Sequence, residues 1–146
     1  EQFTSLEHRW AWGQYYGPPS TDGAWFEIYR RMLINEWGND TLMIGQAIPR
    51  NWLEHGKKIE VRNAPTYFGK TSFSIEGLNQ NNEIKATVEV PDRNAPQQLL
   101  VRFRHPLERQ IKAVMVNGKR WKNVDVKKEY VSIPVPTGKY VISVRY

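Results

Sequence analysis

A single change of hydrophobic period divides this 146-residue chain just after Gly38. From Ala24 to Trp37 the apolar residues Trp25, Ile28, Tyr29, Met32, Leu33 and Trp37 recur about every 3.6 residues, as on one side of a helix. Beyond Gly38, as far as Tyr146, apolar and polar residues alternate, which turns one face of each segment to a core and the other to water. Ile59 and Val61 alternate with Glu60 and Arg62, and Phe73 and Ile75 with Ser72, Ser74 and Glu76. Ile84, Ala86, Val88 and Val90 alternate with Glu83, Lys85, Thr87 and Glu89. The spacing predicts an N-terminal loop and linker helix over 1–38 and a β-domain over 39–146.

The remaining strands follow the same rule. Leu99, Val101 and Phe103 oppose Arg102 and Arg104, and Ile111 to Val116 is apolar on both faces, as in a central strand. Asn117-Gly118 suits a two-residue type I′ hairpin, because both residues tolerate positive φ. Val131, Ile133 and Val135, then Tyr140, Ile142, Val144 and Tyr146, supply the last two strands on either side of Pro136-Thr137-Gly138. Some seven to nine short antiparallel strands preceded by one helix predict a mainly β chain, an antiparallel β-sandwich. In the helix Asp22 is the expected N-cap, Glu27 and Arg31 a surface pair, and Gly38 the stop.

A chain of this length suffices for one domain with one core, and no apolar run approaches the roughly 20 residues that span a bilayer. The reading is of a soluble globular domain with no membrane partner. With no cysteine there is no disulfide, thiolate metal site or thiol nucleophile, and the redox compartment stays open. The chain starts Glu1-Gln2-Phe3-Thr4 without Met or an apolar leader, which reads as a processed product or, by preference, a piece of a longer protein. The formal charge of +6 raises an acidic partner. Its lysines and arginines, however, are scattered as Lys57-Lys58, Arg102 and Arg104, Lys119-Arg120-Lys122, Lys127-Lys128 and Arg145, which suits solvated faces and guarded sheet edges. No nucleic-acid partner is expected.

No phosphate loop, nucleotide-binding glycine turn, nucleophile elbow or zinc-protease helix occurs. His8, His55 and His105 lie far apart without a second ligand at metal spacing, so neither metal nor cofactor is expected. Glycoside hydrolysis needs two carboxyls about 5 to 10 Å apart, and of the acids gathered in sequence Asp22, Glu27 and Asp40 already have capping, pairing and turn roles. No catalytic residue is assigned. The aromatic group Trp10, Trp12, Tyr15 and Tyr16 is the candidate glycan contact, with the loop from Asn63 to Lys70 as a second surface. The same rings would equally suit a surface that packs on another domain.

One resemblance gathers these observations. The series Leu42-Met43-Ile44-Gly45-Gln46-Ala47-Ile48-Pro49, followed by Trp52-Leu53, His55-Gly56-Lys57 and Ala64-Pro65-Thr66-Tyr67-Phe68-Gly69, resembles the region just after the catalytic helical barrel of bacterial six-hairpin glycosidases. Arg102-Phe103-Arg104-His105-Pro106 and Val114-Met115-Val116-Asn117-Gly118-Lys119 resemble the closing strands of that C-terminal domain. The likeness covers residues 24–146. It implies a noncatalytic accessory β-sandwich of a periplasmic or secreted bacterial glycoside hydrolase, whose α/α barrel carries the acid and base. Its partner would be the catalytic domain of the same parent chain, with polysaccharide as a further partner. The helix from Ala24 to Trp37 would then be the last barrel helix or a linker, and no catalytic residue of the family transfers to this chain. The alternative is a free-standing carbohydrate-binding module that uses exposed aromatics.

Overall fold

The computed structural model describes residues 19–92 and 94–146. One helix, α1 (Pro19–Leu33), leads into eleven strands arranged as two sheets. Proline suits the first helical turn, whose amides have no intrahelical acceptor, and Asp22 in that turn faces the positive end of the helix dipole. Asp22 therefore lies inside the helix, and the expected N-cap role is lost because α1 begins earlier than the periodicity suggested.

The end of the helix also differs from expectation. Ile34–Trp37, placed by its spacing in the last helical turn, is instead strand β1, paired antiparallel with β2 (Thr41–Ile44) in the register Ile34↔Ile44 to Trp37↔Thr41. Gly38, with φ of 61°, turns this hairpin rather than ending α1. The strand wins because Ile34 and Leu42 enter the core while Trp37 stays exposed. The last helical carbonyls are also satisfied by tertiary partners: Gly45 N donates to Leu33 O at 2.8 Å and Ala47 N to Met32 O at 3.1 Å. The sandwich thus starts at Ile34, inside the segment 1–38 that was assigned to loop and linker helix.

The first sheet runs β1, β2, β6 (Gln98–Arg102), β10 (Tyr130–Pro134), β9 (Val124–Asp125). The second runs β3 (Lys58–Thr66), β4 (Gly69–Glu76), β5 (Glu83–Val90), β11 (Gly138–Arg145), β7 (Ala113–Val116), β8 (Lys119–Arg120). All pairings are antiparallel except β2 with β6, where Leu42 faces Leu99 and Ile44 faces Val101 in a parallel register. The mainly β fold with one leading helix is that read from the sequence; the extra strands are short pieces such as β1, β8 and β9.

The alternation fixes the core. Phe73 and Ile75 on β4, Ile84, Ala86, Val88 and Val90 on β5, and Ile142 and Val144 on β11 face Leu99, Val101, Val131 and Ile133 of the other sheet, and all are buried. Asn117 and Gly118, with φ of 48° and 76°, join β7 to β8 as a two-residue hairpin. Asn117 adds reciprocal bonds to Val141: its amide donates to Val141 O and its Oδ1 accepts from Val141 N, each at 2.8 Å. The stretch 111–116 is less buried than expected, since only Ala113–Val116 is strand and Met115 points outward.

Val135 is a second departure. It was expected to continue the strand, but β10 ends at Pro134, and Val135, exposed between two prolines, adopts φ of 43°. A β-branched residue in this region carries about 1 to 2 kcal/mol of strain. Val135→Asn, which tolerates the left-handed region, should therefore raise the melting temperature by about 2 to 5 °C in a thermal scan; a lower value would show that the valine side chain contributes more than the strain costs.

Candidate functional site

Polar chemistry among the described residues is concentrated at one end of the central strands of the first sheet. Arg50 opens a 3-10 turn over Arg50–Leu53, Arg102 and Arg104 lie at and just beyond the end of β6, and Glu129 precedes β10 with φ of 65°. The buried Glu129 carboxylate accepts two bonds from the Arg50 guanidinium, at 2.7 Å and 3.1 Å. Arg102 and Arg104 each stand 3.8 Å from the same carboxylate. Each also donates to a backbone carbonyl, Arg102 Nη1 to Gln46 O (2.7 Å) and Arg104 Nη1 to Ile48 O (3.0 Å), while Arg104 Nε is buried without a hydrogen-bond partner. Arg50 Nε lies 3.2 Å from Glu108 Oε1 without making a hydrogen bond.

The alternation had placed Arg102 and Arg104 on a solvated face. The structure instead turns them over the rim, where they clamp the chain around Gln46 and Ile48 to β6 and to the turn before β10. Burial, then the like charges of Arg102 and Arg50, lowers the affinity of Arg104 for its proton. Three guanidiniums around one carboxylate form a structural clamp, in which Arg50 supplies the hydrogen bonds to Glu129 and Arg102 and Arg104 add charge from 3.8 Å.

His105 sits beneath this clamp, fully buried, its ring packed edge-on against Tyr146 with centroids 4.7 Å apart. Its Nδ1 accepts from Leu107 N at 2.9 Å, so the single ring proton sits on Nε2. Burial, then Arg109 and Arg50, pushes its pKa below 6.5, and the buried Tyr146 hydroxyl, which donates to Phe103 O, is pushed up. A histidine kept neutral in the fold stabilises it fully above the unfolded value of 6.5, and the contribution is lost as pH falls from there through the depressed folded value. His105→Asn, whose Oδ1 can accept the same Leu107 amide without titrating, should flatten the decline in melting temperature as pH falls below 6.5. An unchanged slope would mean that other groups set it.

The second feature is apolar. Around α1, Ile28, Met32, Trp25, Tyr29, Leu33 and Phe26 span an arc of roughly 160° at 100° per residue. Met32 and Leu33 are half-buried, but Trp25 is 57% exposed, Phe26 74%, Ile28 51% and Tyr29 56%. Arg30 fixes the base of the helix by a two-pronged bond to Glu36, 2.8 Å on each arm, and a third to Pro65 O at 2.8 Å. The hydrogen bond and charge of Arg30 hold the Glu36 carboxyl below its usual range. Between α1 and the β3–β4 hairpin lies an apolar groove of about 320 Å³ that includes Phe26, Tyr29, Leu33, Val61 and Pro65.

Of the residues proposed from sequence as glycan contacts, Trp10, Trp12, Tyr15 and Tyr16 lie outside the described residues. The second surface, 63–70, is the β3–β4 hairpin; it exposes Tyr67 but buries Phe68, so it presents a single ring. Of the histidines, His55 is exposed and His105 buried, and among the described residues no group of three or more His, Cys, Asp or Glu is placed to hold a metal. No helix there is long and apolar enough to cross a membrane.

No family model matches the chain, and no curated protein matches it. Among solved structures it is similar to a GH127 β-L-arabinofuranosidase from Geobacillus stearothermophilus T6, with 17% identity and a TM-score of 0.42. That alignment covers 87% of this chain and 18% of the arabinofuranosidase, so the chain spans only a small part of that protein's length.

Proposed function

We propose that this chain is a noncatalytic accessory β-sandwich of a carbohydrate-active, glycoside hydrolase-like enzyme, docked through α1 on the helical catalytic domain of the same polypeptide. The observation that carries the reading is the exposed stripe of Trp25, Phe26, Ile28 and Tyr29 on a helix otherwise anchored by Arg30. Isolated apolar side chains on a surface are ordinary, but four large ones along one helix form a patch of the kind that marks an interface. The turn motifs from Leu42 to Gly69 support the enzyme class, because they resemble the entry to the terminal domain of six-hairpin glycosidases. Such a parent would act outside the cytoplasm on polysaccharide.

In this role the clamp around Glu129 keeps one end of the sandwich in shape, and the chemistry belongs to the partner domain. Deleting the segment from the protein that carries it should lower that protein's melting temperature while leaving turnover of a small aryl glycoside within about twofold. Full retention of thermal stability would overturn the reading.

A further inference from the structure

Two hollows lined by no residue of the clamp or of the α1 stripe share Lys57 and Lys58 as a common wall. One, of about 350 Å³, is lined by Trp52, Lys57, Lys58 and Ile59. The other, of about 520 Å³, extends past Glu76 and Gly77 to the turn carrying Gln80 and Asn81. Each is within the size range of small-ligand sites, about 300 to 1,000 Å³.

The walls are held rigidly. Gly77 N donates to Lys57 O at 2.7 Å and Leu78 N to Leu53 O at 2.9 Å, which ties the end of β4 to the 3-10 turn carrying Trp52. Asn79 Oδ1 accepts from Asn81 N at 2.9 Å and Glu83 N at 3.1 Å, fixing the turn that presents Gln80 and Asn81 to solvent. The Lys57 ammonium is engaged at 2.8 Å by both Asn51 O and Glu54, whereas Lys58 reaches Glu60 only at 3.7 Å. A partly exposed indole therefore lines one hollow beside Lys57 and Lys58, and Glu76, Gln80 and Asn81 line the other across the same two lysines.

We propose that these two adjoining hollows together bind an oligosaccharide, with Trp52 stacked on a sugar face in the first and Lys58, Glu76, Gln80 and Asn81 meeting hydroxyls of the neighbouring units in the second. A sugar ring pairs an apolar C–H face with a rim of groups that both donate and accept. A flat aromatic beside fixed donors and acceptors complements that combination. Preorganisation by the Asn79 turn and the Gly77 contact limits the entropy lost on binding. The choice of a sugar rests on the carbohydrate-enzyme reading above, while the location rests on the two hollows alone.

The test is titration of the protein with xylan, β-glucan, chitin and galacturonan oligosaccharides, followed by tryptophan fluorescence and by amide shifts in NMR. At least one should saturate, with shifts gathered at 52–58 and 76–82. Trp52→Ala should weaken that binding by about tenfold or more. Gln80→Ala with Asn81→Ala, at an exposed turn, should weaken it without disturbing the melting temperature. No saturable binding up to about 10 mM, shifts elsewhere, or affinity unchanged in both variants would overturn the proposal. Such a failure leaves docking through α1 intact, since deletion from the parent decides that question separately.

Discussion

Glu129→Gln should lower the melting temperature by about 5 to 10 °C, the equivalent of about 2 to 3 kcal/mol. The substitution keeps size and shape but leaves Arg50, Arg102 and Arg104 facing one another without the carboxylate at which all three converge. The guanidiniums are partly solvated, which places the effect below that of a fully buried pair. Arg50→Ala should cost less than the sum implies when combined with Glu129→Gln, with a coupling of about 1 kcal/mol or more, because the two share their strongest bonds. A melting temperature unchanged by Glu129→Gln would show that the arginines are held by their backbone carbonyls alone.

Gly77→Ala should be comparably damaging, by about 3 kcal/mol, for a steric reason. A Cβ at this position would lie 2.2 Å from Glu54 O and 3.0 Å from Leu53 C and O, all backbone atoms that cannot rotate away. Relief requires breaking the Gly77–Lys57 or Leu78–Leu53 bonds that join β4 to the 3-10 turn. Gly56→Ala is the control: its φ of 75° disfavours a side chain, but no atom lies within 4 Å, so it should cost only about 1 kcal/mol. Equal effects of the two in a denaturant titration would refute the close-approach account.

What the sequence made legible follows from the range of the forces involved. The alternation along β4, β5 and β11 gives the core directly, since period two and one-sided burial are the same fact. The Asn117-Gly118 hairpin is equally local. The helix end was hidden because Ile34 is decided by pairing with Ile44 and by amides from Gly45 and Ala47, all reached through a tertiary turn. The clamp was hidden for the same reason: Arg50 and Glu129 are 79 residues apart, and alternation cannot tell an arginine facing water from one folded over the sheet rim. Its only sequence trace was the spacing of Arg102 and Arg104 on one strand face. The hydrophobic spacing of α1 was visible, but spacing reads as burial against the chain's own core, and here Trp25, Phe26, Ile28 and Tyr29 are exposed.

That exposure is the centre of the account, and amide hydrogen exchange measures its consequence residue by residue. In the isolated chain the amides from Asp22 to Tyr29 should exchange rapidly, because the side chains of this half of the helix are exposed. If, as proposed, the chain is part of a longer enzyme, the same amides should become protected in that protein, while those of β5 and β11 in the core keep their rates. Identical exchange from Asp22 to Tyr29 in the two forms would contradict docking through α1.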